Sequence, residues 1–157
     1  MLTNWAHVHL LVNHIPVLGT VFGLALLAIV MKGNREDGKK TALGTFVVVA
    51  LVAILTYLTG EPAEEVVEHL PGISEDIIET HEEFAIVSLV AVEVLGLVSL
   101  VGLFLSRKSA RIPPRLVTIC LVLSLAAVAT LAWTSHLGGQ IHHPESRSGF
   151  VVPTDSD

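Results

Sequence analysis

Apolar residues are grouped along this chain in long blocks separated by short polar segments. Four apolar runs, at 8–31, 41–59, 84–105 and 114–136, are each near the length of about 20 residues that an α-helix needs to cross a bilayer. The first run is followed by "KGNREDGKK" rather than by the small residues of a cleavage site, so we expect it to be retained. The pattern predicts an all-α fold, a four-helix transmembrane bundle.

Composition supports a membrane protein: 52% of the 157 residues are hydrophobic and 15% are charged. We expect one membrane domain over 1–157, in which 60–83 forms an acidic connection and 137–157 a C-terminal tail. The lipid bilayer is therefore the first expected partner.

Basic residues are concentrated in the first and third connections, as Lys32, Arg35, Lys39, Lys40, Arg107, Lys108, Arg111 and Arg115. The positive-inside rule then predicts a multi-pass protein of the bacterial inner (cytoplasmic) membrane, with both termini and the acidic connection on the periplasmic side. The net charge of −6 argues against nucleic acid as a partner.

Histidines are found only in segments that this topology places at the periplasmic end: His7, His9, His14, His69, His81, His136, His142 and His143. The ends of four bundled helices share one mouth, so histidines distant in sequence can converge there. Neutral imidazole is the commonest metal ligand and a frequent haem ligand. We therefore predict a cofactor site at this end.

Local sequence singles out His14, His81 and His143 among these histidines. His14 precedes Pro16, which deprives the Val12 carbonyl of its helical donor. His9 is rotated about 140° from His14 on an ideal helix, so one face cannot present both inward. Gly138 and Gly139 are predicted to end the fourth helix, which would let His142 or His143 return over His14 and His81.

Carboxylates and glycines add further candidates, each with a structural alternative. Glu61 and Glu64 lie near the membrane boundary, either as metal ligands or as a solvated capping face. Glu93 lies deep in an apolar run, as a proton site or as a protonated, packed group. Gly19 and Gly23 have GxxxG spacing, which serves either packing within the chain or association into a homo-oligomer.

Four segments in this order, "HLLVNHIPVLGT", "LTGEPAEEVVEHLPG", "HEEFA" and "HLGGQIHHPE", resemble those of a family of small bacterial four-helix membrane proteins. That family is similar to a broader group of four-helix membrane domains associated with cytochromes, which the chain matches at His9, His14, Pro16, His81, Gly138, Gly139 and His143. The resemblance implies membrane redox chemistry without an established reaction.

Three hypotheses follow. The first is a b-type haem protein for electron transfer with a periplasmic electron carrier, whose axial ligands come from His14, His81, His143 and His9. The second is a non-haem iron, copper or zinc site formed from His14, His81, His143, His142, Glu61 and Glu64. The third is a cofactor-free accessory subunit of a larger membrane complex. The absence of CxxCH excludes covalent c-type haem.

Overall fold

The computed structural model describes residues 4–31, 33 and 35–151, and within them it contains helices and turns but no strands. Lys32 and residues 152–157 of the predicted tail lie outside this part of the chain. Six α-helices follow one another: α1 Trp5–Val12, α2 His14–Val30, α3 Glu36–Leu58, α4 Gly60–Val67, α5 Glu75–Ser109 and α6 Pro114–His142. A 3-10 turn, Pro144–Ser146, follows α6. The all-α prediction is confirmed.

Four helical stretches are long and apolar enough to cross a membrane: Trp5–Val30, Glu36–Val67, Glu75–Ser109 and Pro114–His142. No more than 33% of the most apolar window of any of them is buried within the protein. Most of their apolar surface is therefore free to contact lipid, as expected of a multi-pass membrane protein.

The four long helices form a ring in which α2 packs on α3, α3 on α5, α5 on α6 and α6 on α2. Neighbours in the ring run antiparallel. The core between them contains fully buried Leu27, Phe46, Val92, Leu95 and Ala127. The end that carries α1, α4, the start of α5 and the end of α6 is called the histidine end, and the opposite end is called the basic end.

Glycines let α2 approach α3 closely. A Cβ atom added at Gly23 would lie 2.5 Å from Cε1 of Phe46, and one added at Gly19 would lie 2.5 Å from Cγ2 of Val49. A methyl group has no room at either position. The GxxxG spacing therefore serves packing within the chain, the first of the two alternatives considered for it.

The first transmembrane segment breaks at Asn13, three residues before Pro16. The Val12 carbonyl has no helical donor because Pro16 lacks an amide hydrogen. The Thr56 hydroxyl on α3 lies 3.4 Å from this oxygen and 3.0 Å from the Val52 carbonyl of its own helix, so its proton is shared between the two. Beyond the break, α1 packs mainly on α4. The two short helices together form an outer layer at the histidine end.

The prediction that Gly138 and Gly139 end the fourth helix was wrong, because α6 continues to His142. Neither glycine adopts a positive φ, and the His143 amide still donates to the Gly139 carbonyl at 3.0 Å. Helical hydrogen bonding continues because a glycine permits a helix end without requiring one. The tail therefore does not turn back at these glycines.

Serine is favoured just before a helix and acidic residues in its first turn, so Ser74, Glu75 and Asp76 predict a helix that starts at residue 75. The α5 helix begins there, with Ser74 in extended conformation but without a capping hydrogen bond from its hydroxyl. Its 35 residues correspond to about 50 Å at 1.5 Å per residue, well beyond the roughly 30 Å of hydrocarbon. The acidic first turns of α5 therefore extend past the apolar span, toward the histidine end.

Candidate functional site

Two histidines from different helices, each hydrogen-bonded to a further helix or its end, lie at the histidine end. His9 on α1 and His81 on α5 are both partly buried, and they lie close enough for positive charge on one to oppose positive charge on the other. We call them the histidine pair. Of the four histidines predicted as haem ligands, these are the two that are partly buried and hydrogen-bonded to a different part of the bundle.

His9 is held by Thr59 at the end of α3. Its Nδ1 lies 3.1 Å from the Thr59 hydroxyl oxygen, and that hydroxyl in turn lies 2.8 Å from the Thr56 carbonyl. Because the Thr59 proton is donated to the carbonyl, the hydroxyl oxygen accepts from His9, and Nδ1 carries the imidazole proton. The Nε2 atom of neutral His9 is therefore left with a lone pair.

His81 is held in the same tautomer by α6. Its Nδ1 lies 3.0 Å from the carbonyl oxygen of Thr134, which can only accept, so Nδ1 carries the proton here too. The Thr134 hydroxyl pairs with Ser88 at 2.9 Å. A Cβ atom at Gly138 would lie 3.1 Å from Cε1 of His81, so glycine makes room for the ring.

The Nδ1 hydrogen bonds of His9 and His81 are of the kind that orients a metal ligand. Histidines that bind metals usually donate the other ring N–H to a carbonyl, a carboxylate or a comparable acceptor, which fixes the tautomer and aims the ligand nitrogen. His9 and His81 both show this pattern, with Nδ1 engaged and Nε2 available. The donor chemistry therefore fits an axial haem ligand or a metal ligand at each Nε2.

A pair of carboxyl groups lies next to the histidine pair. The carboxyl groups of Glu64 on α4 and Glu82 on α5 are close enough to interact, and a hydrogen bond between two carboxyl groups needs one of them to be protonated. The negative charge of Glu82 also acts on the His81 imidazole. Glu61, the other predicted carboxylate ligand, is exposed, although its charge still acts on Glu64.

The remaining predicted ligands lie elsewhere. His14 is exposed, with Nδ1 3.2 Å from the Leu10 carbonyl of its own helix. His142 is also exposed, and His143 is exposed and pairs with Glu145, Nδ1 to Oε1, at 2.9 Å. The Glu145 backbone amide, and then the His143 imidazole, hold the pKa of the Glu145 carboxyl below its usual value.

No group of three or more histidine, cysteine, aspartate or glutamate side chains in the described part of the chain is arranged to hold a metal ion. The histidine pair is thus a two-ligand arrangement. Glu93 lies far from it along α5, partly buried, with Oε1 buried and without a hydrogen-bond partner among the described residues.

Sequence reasoning missed the residues that hold the histidine pair, Thr59 and Thr134, and the partner of Glu64, Glu82. The 140° rotation between His9 and His14 showed that one of them must face away, but not which one. No family model, curated protein or solved structure matches the chain. The proposals below therefore rest on the chemistry of the site.

Proposed function

We propose that the chain is an integral membrane electron-transfer protein that binds a b-type haem at its histidine end through Nε2 of His9 and Nε2 of His81. The observation that carries the proposal is the histidine pair itself, two imidazoles from two helices in the ligand tautomer. Axial ligation needs only two imidazoles, whereas protein metal sites without a macrocycle normally need three or more side chains. The two-ligand geometry therefore favours haem.

Bound haem would supply one-electron transfer through its iron. The chain's own residues would orient the ligands: Thr59 and Thr134 hold the Nδ1 protons, and Gly138 leaves space beside the His81 ring. Hydrogen bonds at Nδ1 also raise the basicity of the ligand nitrogen, which is one of the means by which a protein tunes a metal.

In this proposal the basic end faces the cytoplasm and the histidine end faces the periplasm, following the distribution of lysine and arginine. An electron carrier would then meet the protein at the periplasmic surface. The acidic residues of α4 and early α5 favour a carrier with a basic surface, because complementary charge speeds encounter.

One observation favours a second candidate, a non-haem iron, copper or zinc site. The carboxyl groups of Glu64 and Glu82 interact near His81, and a cation bound between them would offset the repulsion of two carboxylates. Mixed imidazole and carboxylate donors suit these metals. Since no three of these side chains are arranged to hold a metal in the described part of the chain, this candidate requires metal binding itself to draw His9 or His81 together with the two carboxylates.

The test is a reduced-minus-oxidised absorption spectrum of the protein in mild detergent, with metal analysis of the same sample. We expect a sharp α-band and a Soret shift in the parent protein. His9→Ala and His81→Ala should each abolish the signal, whereas His14→Ala and His143→Ala, at exposed positions, serve as matched controls and should keep it.

Each alternative has its own result. Stoichiometric iron, copper or zinc without a haem spectrum, lost in Glu64→Gln, would replace haem by the second candidate. Loss of haem in His14→Ala or His143→Ala, with retention in His9→Ala, would reject the ligand assignment. A folded protein without any cofactor would favour the accessory subunit of a larger membrane complex.

A further inference from the structure

A small cavity lies at the basic end of the bundle, between helices α2, α3 and α6. It has a volume of about 140 Å³ and is lined by Met31, Lys39, Pro114, Val117 and Thr118. Pro114 and Thr118 are exposed, so the cavity is open to the surroundings of the bundle. We call it the Lys39 cavity. It lies where the apolar runs 8–31 and 114–136 end, which is the level expected for the head groups of a bilayer.

The Lys39 ammonium is largely enclosed and only partly hydrogen-bonded. Its side chain is 13% exposed, and Nζ donates to Oε1 of Glu36 at 2.8 Å. An ammonium has three N–H donors, and this is the one hydrogen bond that Nζ makes within the described residues. A buried donor without an acceptor is costly, so the remaining N–H groups favour an acceptor in the cavity that Lys39 lines.

The charge at this end of the bundle is positive. Among the described residues there, two are acidic, Glu36 and Asp37, and seven are basic: Arg35, Lys39, Lys40, Arg107, Lys108, Arg111 and Arg115. Glu36 does not neutralise Lys39 alone, because the charge of Arg111 also acts on Glu36. The acceptor that the cavity favours is therefore an anion.

We propose that the Lys39 cavity binds the phosphate of an anionic lipid head group. Phosphate oxygens form strong hydrogen bonds with charged donors, and basic pockets between transmembrane helices suit acidic head groups. The acyl chains have apolar surface to follow, because Leu125 lies seven residues from Thr118 on the same face of α6 and is 54% exposed. A lipid matches both parts of this surface, whereas free phosphate matches only the first.

The lipid site does not depend on a cofactor. The Lys39 cavity lies at the opposite end of the bundle from the histidine pair, and the two share no residue. A protein that contains neither haem nor metal should therefore bind the lipid equally well.

Native mass spectrometry of the full chain in detergent tests the class of lipid. Phosphatidylglycerol and phosphatidylcholine share a phosphodiester and differ in the net charge of the head group. We expect phosphatidylglycerol to be retained about tenfold more tightly, as a charge-assisted contact implies. Equal retention of the two lipids, or retention of neither, would overturn the proposal. Displacement of phosphatidylglycerol by inorganic phosphate, but not by chloride at the same ionic strength, would overturn the assignment to a lipid.

Substitution of Lys39 tests the charge. Lys39→Gln removes the ammonium but keeps a donor for Glu36, and it should weaken phosphatidylglycerol binding by about tenfold. Lys108→Gln is the matched control, because it removes the same charge at the same end from an exposed position outside the cavity. Its effect should stay below about threefold, since salt screens exposed charge. Equal losses in the two variants would contradict a site at Lys39.

Filling the cavity tests the location without any change of charge, and it decides the question if Lys39→Gln does not fold. Thr118→Trp places a large ring at the exposed edge of the cavity and should weaken phosphatidylglycerol binding by about tenfold. Ile119→Trp is the control, since Ile119 is 45% exposed on the same helix and does not line the cavity. Circular dichroism confirms that each variant is folded. Undiminished binding in Thr118→Trp would place the lipid elsewhere and reject the proposal.

Discussion

The two ends of the bundle differ in how completely the acceptor atoms of their polar side chains are hydrogen-bonded. At the basic end, Glu36 accepts the Ile112 amide at 3.0 Å through one oxygen and binds Lys39 at 2.8 Å through the other, which joins the two connections. At the histidine end, His9 and His81 each use one ring nitrogen and leave the other available. Polar groups satisfied on all sides indicate structure, whereas oriented groups satisfied on one side indicate a site.

We expect the largest loss of stability from a substitution at the basic end. Glu36→Ala should leave the buried Ile112 amide and the largely buried Lys39 ammonium without their acceptor, at a cost of about 2–3 kcal/mol. Glu36→Gln should lose less, because its amide oxygen can still accept from Ile112. Thermal unfolding in detergent measures both variants. A Glu36→Ala protein as stable as the parent would show that the carboxylate does not hold the connections together.

Two neighbouring glycines, Gly138 and Gly139, allow a matched test of the packing around His81 at the histidine end. Gly138→Ala places a methyl group 3.1 Å from the His81 ring, whereas a methyl group at Gly139 would meet nothing within 4 Å. Both substitutions gain the helix preference of alanine, but Gly138→Ala must also displace the His81 ring by a few tenths of an ångström. We therefore expect Gly138→Ala to be less stable than Gly139→Ala by about 1–3 kcal/mol, the usual range for overpacking. Gly139→Ala should be neutral or stabilising by up to about 1 kcal/mol, since alanine favours the helix.

Both glycine variants are compared by thermal unfolding and by cofactor content. Lower cofactor content in Gly138→Ala alone would support the role of Gly138 beside the His81 ring. Identical behaviour of the two variants would contradict the close contact between α6 and His81.

The smallest expected effect concerns the acceptor of His9. Thr59→Val removes the hydroxyl that accepts from Nδ1 and should cost about 1 kcal/mol, whereas Thr59→Ser keeps that hydroxyl. Nitrogen NMR of the His9 imidazole reports which nitrogen is protonated. We expect a mixture of tautomers in Thr59→Val and the Nδ1-protonated form in Thr59→Ser. An unchanged tautomer in Thr59→Val would show that another group fixes His9.

The prediction of four helices long and apolar enough to cross a membrane was confirmed, because long apolar blocks have few alternatives to helix in a bilayer. Ser74 marked the start of α5 for a local reason, its position ahead of two acidic residues. The prediction that Gly138 and Gly139 end the fourth helix was wrong because glycine is compatible with a helix end and also with a helix interior that closely contacts a ring. Only the position of His81 distinguishes the two cases.

The sequence by itself determined the helical class, the number of helices long and apolar enough to cross a membrane and the collection of all histidines near one end, because each depends on local hydropathy and charge. Tertiary structure alone decided that His9 rather than His14 is partly buried and bonded to the end of α3, that Thr59 and Thr134 fix the tautomers of His9 and His81, and that Glu64 lies near Glu82. These contacts join residues about 20 to more than 50 positions apart, and they depend on how each helix is rotated about its own axis. The packing of neighbouring helices sets that rotation. The residue pattern of a single helix does not determine it.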